Sequence, residues 1–273
     1  MPELPDLEVV RDVLNDRIAS QQITGIEILS PLVLLSLAVD EPKAFFVGQT
    51  VERIVRSGKF LVFKLSAESW MVWNFMLAGH LRFCSTGDRA LTRDYVKIDT
   101  SAGIHMRYYD ARGMGKLYLT DDLSKVPGYA EMGPDALDDA LTLGLFLDRL
   151  KRYRGEIKGI LTRGTFVAGI GNAYADEILW AARIYPFRKA PSLSAEEKER
   201  LYRAMRDVLI AACESVRERM GDEIHLKVRD MLAVHNRKGE PCPRCGQTIS
   251  EVNVRKRATD FCRQCQPGSL LQR

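Results

Sequence analysis

Four cysteines near the C-terminus constrain the fold of this 273-residue chain more than any other feature. They form two Cys-x-x-Cys pairs, Cys242 with Cys245 and Cys262 with Cys265, separated by sixteen residues. Two such pairs at this spacing are typical of a tetrahedral zinc site. The chain shows no export signal, so disulfides between these cysteines are not expected. We therefore predict one structural Zn²⁺ held by all four thiolates.

The composition is that of a folded protein with a core of its own. Hydrophobic residues make up 46% of the chain and charged residues 28%, and this length favours two domains over one. No apolar run approaches the roughly 20 residues that span a bilayer, and the first residues lack the basic-then-apolar pattern of a signal peptide. We therefore expect a cytoplasmic protein.

Positive charge is concentrated at the C-terminal end of the chain. Residues 236–273 carry eight Lys or Arg and three acidic residues, a net charge of +5 (8 − 3), whereas the whole chain carries +4. Three of the basic residues, 255–257, are consecutive and lie in the loop between the cysteine pairs. A patch of this kind suits a polyanion, and a solvated surface is the alternative.

The hydrophobic pattern changes part-way along the chain. Between residues 23 and 119, short β-rich runs broken by glycines predict a β-sandwich or barrel, preceded by a helix over Leu7–Ile18. After a linker ending at 132–134, apolar residues recur at helical spacing, most clearly over Ala195–Met220. The fold class predicted from this change of period is α+β.

Two local stretches carry further hypotheses. The sequence Gly-Ile-Gly-Asn at 169–172 opens a predicted helix, whose N-terminus could bind a phosphate or could simply follow a tight turn. At the other end of the chain, removal of Met1 would leave Pro2 with a free secondary amine, which is a nucleophile. The alternative is that Pro2 and Pro5 only stiffen the arm before the first helix.

With these motifs in view, the chain resembles the formamidopyrimidine-DNA glycosylase and endonuclease VIII family, and more closely its formamidopyrimidine branch. The resemblance rests on four motifs in the family's order: Pro-Glu-Leu-Pro-Asp-Leu-Glu at 2–8, Gly58-Lys59, Gly-Ile-Gly-Asn at 169–172, and the four-cysteine hairpin with Arg257-Ala258-Thr259. It implies an N-terminal catalytic β-sandwich domain (1–131), a helix-two-turns-helix DNA-binding domain (132–235) and a zinc finger (236–273). It also implies a monomer that holds damaged duplex DNA between these parts.

The resemblance implies a bifunctional DNA glycosylase and abasic-site lyase that needs no redox or nucleotide cofactor. The Pro2 amine would attack C1′ of the damaged nucleotide and form an iminium, since an α-amino group is partly unprotonated near neutral pH. Glu3 matches the family's catalytic acid and would move protons at the sugar ring oxygen. Lys59 matches a lysine that contacts phosphate, although an exposed lysine on a turn is the ordinary alternative. Beta and then delta elimination would cut the strand.

The resemblance also implies a set of DNA contacts. Asn172 and Arg257 would grip the phosphates that flank the extruded nucleotide. Lys158 matches a lysine linked to the processing of oxidised purines. Leu77, Arg112 and Met114 would fill the gap left in the duplex, with Arg112 facing the unpaired base.

The chain departs from the family pattern at several of these positions. Leu77 stands where the family has methionine, and Met114 stands where it has a phenylalanine wedge, so Met114 could also be an ordinary loop residue. Asp6 replaces a glutamate, and the segment 221–229 is shorter than the loop that covers the base in enzymes that prefer 8-oxoguanine. An enzyme specific for oxidised pyrimidines or abasic sites therefore stays open, as does a zinc-dependent protein that binds damaged DNA without cutting it.

Overall fold

The computed structural model describes residues 1–37, 45–85, 87–254 and 257–268, except for the side chains of residues 254 and 257. The chain divides into two compact units. The first comprises Met1–Glu131 and Val216–Val228, and the second comprises Met132–Ser215 and Arg229–Arg273. The division into three functional domains stays a prediction.

The first unit begins with helix α1 (Leu4–Ile18), which starts at Leu4 rather than at the predicted Leu7. The earlier start is possible because Pro5 lies in the first turn, where a helix needs no N–H from it. Glu3 and Asp6 also form a capping box at this end, in which the Glu3 N–H donates to Asp6 Oδ2 over 2.8 Å. One face of α1, including Leu4, Leu7 and Leu14, is buried.

Within the described residues, nine strands in two sheets make up most of the first unit after α1. One sheet has the order β1-β7-β8-β6 and the other has the order β2-β9-β5-β4-β3. All neighbours pair antiparallel except β2 and β9, which are parallel. The strands are β1 (Ile23–Ile28), β2 (Leu34–Ser36), β3 (Val51–Ser57), β4 (Phe60–Leu65), β5 (Ser69–Asn74), β6 (Gly79–Cys84), β7 (Asp94–Thr100), β8 (His105–Asp110) and β9 (Lys116–Thr120).

The second unit is helical and ends in a hairpin. Its helices are α2 (Leu143–Leu150), α3 (Ile157–Leu161), α4 (Asn172–Ala181) and α5 (Ala195–Met220), and α5 runs on into residues that belong to the first unit. Strands β10 (Ser250–Val254) and β11 (Arg257–Phe261) pair antiparallel. This arrangement confirms the predicted α+β class. Among the described residues, no helix combines the length and the hydrophobicity that a membrane-spanning segment needs.

Candidate active site and nucleic-acid interface

A cavity of about 410 Å³ lies beside the N-terminal arm within the first unit. Met1 and Pro2 line it together with Asp6, and two of the predicted gap-filling residues, Leu77 and Arg112, line it as well. The structure therefore brings the predicted nucleophile and part of the predicted DNA-facing surface to one place. Met1 precedes the proline, so the Pro2 nitrogen becomes a free amine only after Met1 has been removed.

Glu3 and Asp6 lie at the start of α1, directly after Met1 and Pro2. Both residues are almost fully buried, with 3% and 4% of their surface exposed. The Asp6 carboxylate accepts the backbone N–H of Glu3, which fixes the direction in which the chain leaves the helix toward Pro2. The shorter Asp6 is thus long enough to cap the helix from its position in the first turn.

The Gly58-Lys59 turn joins β3 to β4 as a two-residue hairpin, since Ser57 pairs with Phe60. Gly58 has a φ of +58°, as the first position of a type II′ turn requires, and glycine adopts that value without strain. Arg56 Nε donates to Glu8 Oε2 over 2.5 Å, and its Nη1 donates to the Gly58 carbonyl over 3.0 Å. Because Glu8 lies on α1, this ion pair ties the turn that carries Lys59 to the helix that carries the N-terminal arm.

The loop 111–115 is organised by one buried carboxylate. Asp110 has no exposed surface and accepts the N–H groups of Arg112, Met114 and Gly115 over 2.9, 2.8 and 2.7 Å. The Tyr108 hydroxyl lies 3.3 Å from the same carboxylate. These hydrogen bonds hold the loop in a single conformation, with Arg112 and Met114 on its outer side. Sequence reasoning missed this role of Asp110, whose position before the Arg112 loop was the available signal.

Two glycines allow the loops that carry Leu77 and Met114 to approach each other. A Cβ at Gly79 would lie 2.2 Å from the Tyr108 hydroxyl, and a Cβ at Gly115 would lie 1.7 Å from it. Only glycine fits at both positions, so Tyr108 packs directly between the two loops. Leu77 and Met114 are both large apolar residues with 41% of their surface exposed. Exposed apolar side chains on rigid loops are suited to wedging between bases.

The four cysteines of the hairpin converge on one point. Their Sγ atoms all lie within 4.8 Å of one another, with Cys242 and Cys265 separated by 3.9 Å and Cys245 and Cys262 by 3.5 Å. Tetrahedral coordination with Zn–S bonds of about 2.3 Å places sulfurs about 3.8 Å apart, whereas a disulfide requires about 2.05 Å. The cysteines therefore fit one Zn²⁺, as predicted.

Trp180 of α4 supports this cluster. Its Nε1 donates to Cys242 Sγ over 3.4 Å, and the Arg244 guanidinium lies 4.0 Å from the indole ring. Burial opposes ionisation of Cys242, but the Trp180 hydrogen bond and the backbone N–H groups of Arg244 and Cys245 outweigh it and lower the pKa of this thiol to about 6. A thiolate is the form that binds zinc. Trp180 thereby joins the hairpin to the helix that follows the glycine motif.

Asn172 and Lys158 meet at the hairpin of the second unit. Asn172 Nδ2 and Lys158 Nζ each donate to the Ala258 carbonyl over 2.9 Å, and Lys158 Nζ also lies 3.0 Å from Thr259 Oγ1. Both residues line a groove of about 620 Å³. Lys158 is only 7% exposed and pairs with Asp176 Oδ1 over 2.6 Å. This burial favours a positioning role for Lys158 over the direct DNA contact predicted from the sequence.

Acidic residues of α4 hold the chain that leads into the hairpin, and sequence reasoning missed them. The Glu177 carboxylate accepts the N–H groups of residues 233–235 over 2.8–2.9 Å, and burial nonetheless raises the pKa of Glu177. His235 Nδ1 lies 2.8 Å from Asp176 Oδ2 and 3.6 Å from Asp260 Oδ2. The Lys158 ammonium beside Asp176 already supplies positive charge there, which counts against a second metal ion.

Arg257 begins β11 beside Ala258, and the side chain of Arg257 lies outside the described part of the structure. The neighbouring Arg255 and Lys256 lie outside the described residues altogether. Since Asn172 and Lys158 both hold the Ala258 carbonyl, the backbone next to Arg257 is anchored on α3 and α4.

Comparison with protein families gave three matches along the chain. The family model of the formamidopyrimidine-DNA glycosylase N-terminal domain matches residues 1–117. The model of the formamidopyrimidine-DNA glycosylase helix-two-turns-helix domain matches residues 132–222. A zinc finger found in this glycosylase and in isoleucyl-tRNA synthetase matches residues 239–268. The three matches follow the order of the motifs and together cover most of the chain.

Individual proteins agree with these matches. The chain is 35% identical to the formamidopyrimidine-DNA glycosylase of Pelotomaculum thermopropionicum, over 97% of this chain and 99% of the relative. It is 36% identical to that of Symbiobacterium thermophilum, over 98% and 90%. A Lactococcus lactis Fpg bound to DNA with an abasic site superposes with a TM-score of 0.89 at 28% identity, over 97% of this chain and all of that one. A MutM bound to DNA with carbocyclic 8-oxoG has a TM-score of 0.89 at 29% identity, over 98% and 100%.

Proposed function

The chain belongs to the formamidopyrimidine-DNA glycosylase family, and on that premise we propose that it is a bifunctional DNA glycosylase and abasic-site lyase. It excises oxidised bases, formamidopyrimidines and 8-oxoguanine among them, from duplex DNA and then cuts the strand. Relatives that superpose on it were solved with abasic-site, Fapy-dG and 8-oxoG DNA. The protein acts in the bacterial cytoplasm, where it meets the DNA of the nucleoid.

The observation that carries this proposal is the position of Pro2 on the wall of the 410 Å³ cavity, which Arg112 and Leu77 also line. After Met1 is removed, the lone pair of the Pro2 nitrogen attacks C1′ of the extruded nucleotide. The new N–C1′ bond forms as the glycosidic bond breaks. The base leaves with the bonding electrons and takes up one proton, while the Pro2 nitrogen gives up its N–H proton. Opening of the sugar ring then gives an iminium between Pro2 and C1′.

Glu3 supplies the proton transfers that this sequence needs. Its buried carboxyl, fixed by the capping box, protonates the sugar ring oxygen as the ring opens. Loss of a C2′ proton from the iminium then expels the 3′ phosphate, and a second elimination expels the 5′ phosphate. Hydrolysis of the remaining iminium regenerates the Pro2 amine.

Six of the other predicted residues hold the DNA. Lys59, on its braced hairpin, contacts the phosphate next to the lesion, while Asn172 and Arg257 grip the phosphates that flank it. The Asn172 amide uses one hydrogen on Ala258 and has a second to donate. Arg112, Leu77 and Met114 fill the space vacated by the extruded nucleotide, and the Zn²⁺ of the four cysteines keeps the hairpin folded.

The test uses labelled duplexes that contain 8-oxoguanine, a formamidopyrimidine, dihydrouracil or an abasic site. The natural protein is expected to cut and to form a borohydride-trapped adduct, whereas Pro2→Gly forms none. Pro191→Gly, at an exposed position of a 3₁₀ turn, serves as the matched control and should behave as the natural protein does. Binding by the natural protein with neither cutting nor adduct on any duplex would instead identify a non-catalytic damage-binding protein.

A further inference from the structure

Three aromatic rings line one wall of the cavity beside Pro2. His80 on β6 and Tyr109 on β8 are partners in the sheet, with ring centroids 5.1 Å apart and planes 31° apart. The His225 ring also contacts His80, with centroids 6.1 Å apart and planes 39° apart. All three residues line the same cavity as Pro2. None of them was singled out from the sequence as a functional residue.

If the proposed function is correct, the base of the extruded nucleotide enters this cavity, because of how it is bonded to the sugar. The base is bonded directly to C1′, the atom that the Pro2 nitrogen attacks. The base and the Pro2 nitrogen must therefore both lie next to C1′ before the glycosidic bond breaks. The cavity has a volume of about 410 Å³, which is in the range usual for ligand pockets. Its apolar lining, which includes Val10, Phe75 and Ile224, suits a base that has left the stack.

We propose that His80, Tyr109 and His225 form a stacking platform that selects extruded bases that are planar. Planar lesions such as 8-oxoguanine and the formamidopyrimidines can place a flat face against these rings. Dihydrouracil, whose C5–C6 bond is saturated, is puckered and gains less from such a contact. The inference rests on the proposed function and specifies which chemical class of base that site accepts.

The environment of His80 favours its neutral form, which suits stacking on a base. Burial lowers the pKa of His80, and the positive potential of His225 and Arg82 lowers it further, while Asp110 acts in the opposite direction. A neutral imidazole can stack on a base without carrying a buried charge, and it offers one donor and one acceptor to the base edge. His225 belongs to the short segment after α5, so this segment supplies a pocket wall despite its length.

Variants at His225 separate stacking from other roles. Base–aromatic stacking is worth about 1–3 kcal/mol per base by alanine substitution, which corresponds to roughly 5- to 150-fold in rate. In single-turnover assays we expect His225→Ala to lower excision of 8-oxoguanine and formamidopyrimidine by that factor, relative to its cutting of a preformed abasic site. His225→Phe, which keeps a flat ring, should stay within about threefold of the natural protein. Dihydrouracil excision should change little in either variant.

The control variant is His105→Ala, at a histidine of β8 that pairs with Asp99 outside the cavity. For each base, it should leave the rate of excision relative to the cutting of a preformed abasic site unchanged. An equal loss on dihydrouracil and 8-oxoguanine, or a Phe variant as poor as the Ala variant, overturns the stacking platform and leaves the proposed function standing. A natural protein that neither excises a base nor cuts an abasic site overturns both.

Discussion

Replacing Asp110 with asparagine should loosen the loop that carries Arg112 and Met114. The Asp110 carboxylate is fully buried and accepts three backbone N–H groups over 2.7–2.9 Å. An asparagine side chain has one oxygen, so its NH₂ group must face an N–H donor on one side. A hydrogen bond to a charged group is worth about 1.5–3 kcal/mol. In the variant, one of the three backbone hydrogen bonds to residue 110 is lost, and the other two no longer have a charged acceptor. We expect the free energy of unfolding of the first unit to fall by about 2–4 kcal/mol.

Urea denaturation measures this change, with tryptophan fluorescence as the readout, since Trp70 and the fully buried Trp73 lie in the first unit. The matched control is Asp122→Asn, because the exposed Asp122 caps a 3₁₀ turn through one hydrogen bond of 2.8 Å to the Ser124 N–H. A cap of this kind contributes about 0.5–2 kcal/mol, nearer the lower value when it is exposed. Equal destabilisation by the two variants would refute the claim that Asp110 organises the loop.

Three further predictions concern the braces around the site. Glu8→Gln should lower the free energy of unfolding in urea by about 1–3 kcal/mol, because the charge of Glu8 no longer faces Arg56, which is only 6% exposed. Glu199→Gln, at a solvent-exposed pair, should lower it by about 0.5 kcal/mol or less, and similar losses in the two variants would contradict the brace. Removal of zinc by a chelator should abolish DNA binding and the amide protection of residues 237–254 and 257–266, and added Zn²⁺ should restore both. Amide protection that survives chelation would contradict a structural metal. Burial and His225 lower the pKa of His80, so the folded state binds fewer protons than the unfolded state just below pH 6.5. The free energy of unfolding should therefore fall as the pH drops through that value. This dependence on pH should be weaker in His80→Asn, and an unchanged dependence would contradict the lowered pKa of His80.

Much of this site could be predicted from short motifs because their chemistry is local. The spacing of the four cysteines predicts a zinc site whichever fold surrounds it, and the Gly58-Lys59 turn follows from the conformational freedom of glycine. The change of hydrophobic period likewise predicts strands before helices. The start of α1 was misplaced, since the Glu3–Asp6 capping box overrides the boundary that the apolar pattern indicates.

The features that sequence reasoning missed depend on contacts between distant segments. The Tyr108 hydroxyl fits between Gly79 and Gly115 only once β6 and β8 have paired, and the His80–His225 contact joins segments far apart in the chain. The burial of Lys158 also depends on residues that are distant in the sequence. A lysine is usually expected at the surface, and only the fold places Asp176 and the Ala258 carbonyl around it.

Peptide mapping of the borohydride-trapped complex shows which nitrogen of the protein forms the covalent bond to C1′. The natural protein is incubated with an abasic-site duplex and borohydride, digested with protease and nuclease, and analysed by mass spectrometry. We expect Met1 to be absent and the added deoxyribose mass to lie on the N-terminal peptide, at Pro2. An adduct on Lys59 or another lysine, or a protein that retains Met1 and still forms the adduct, would contradict it.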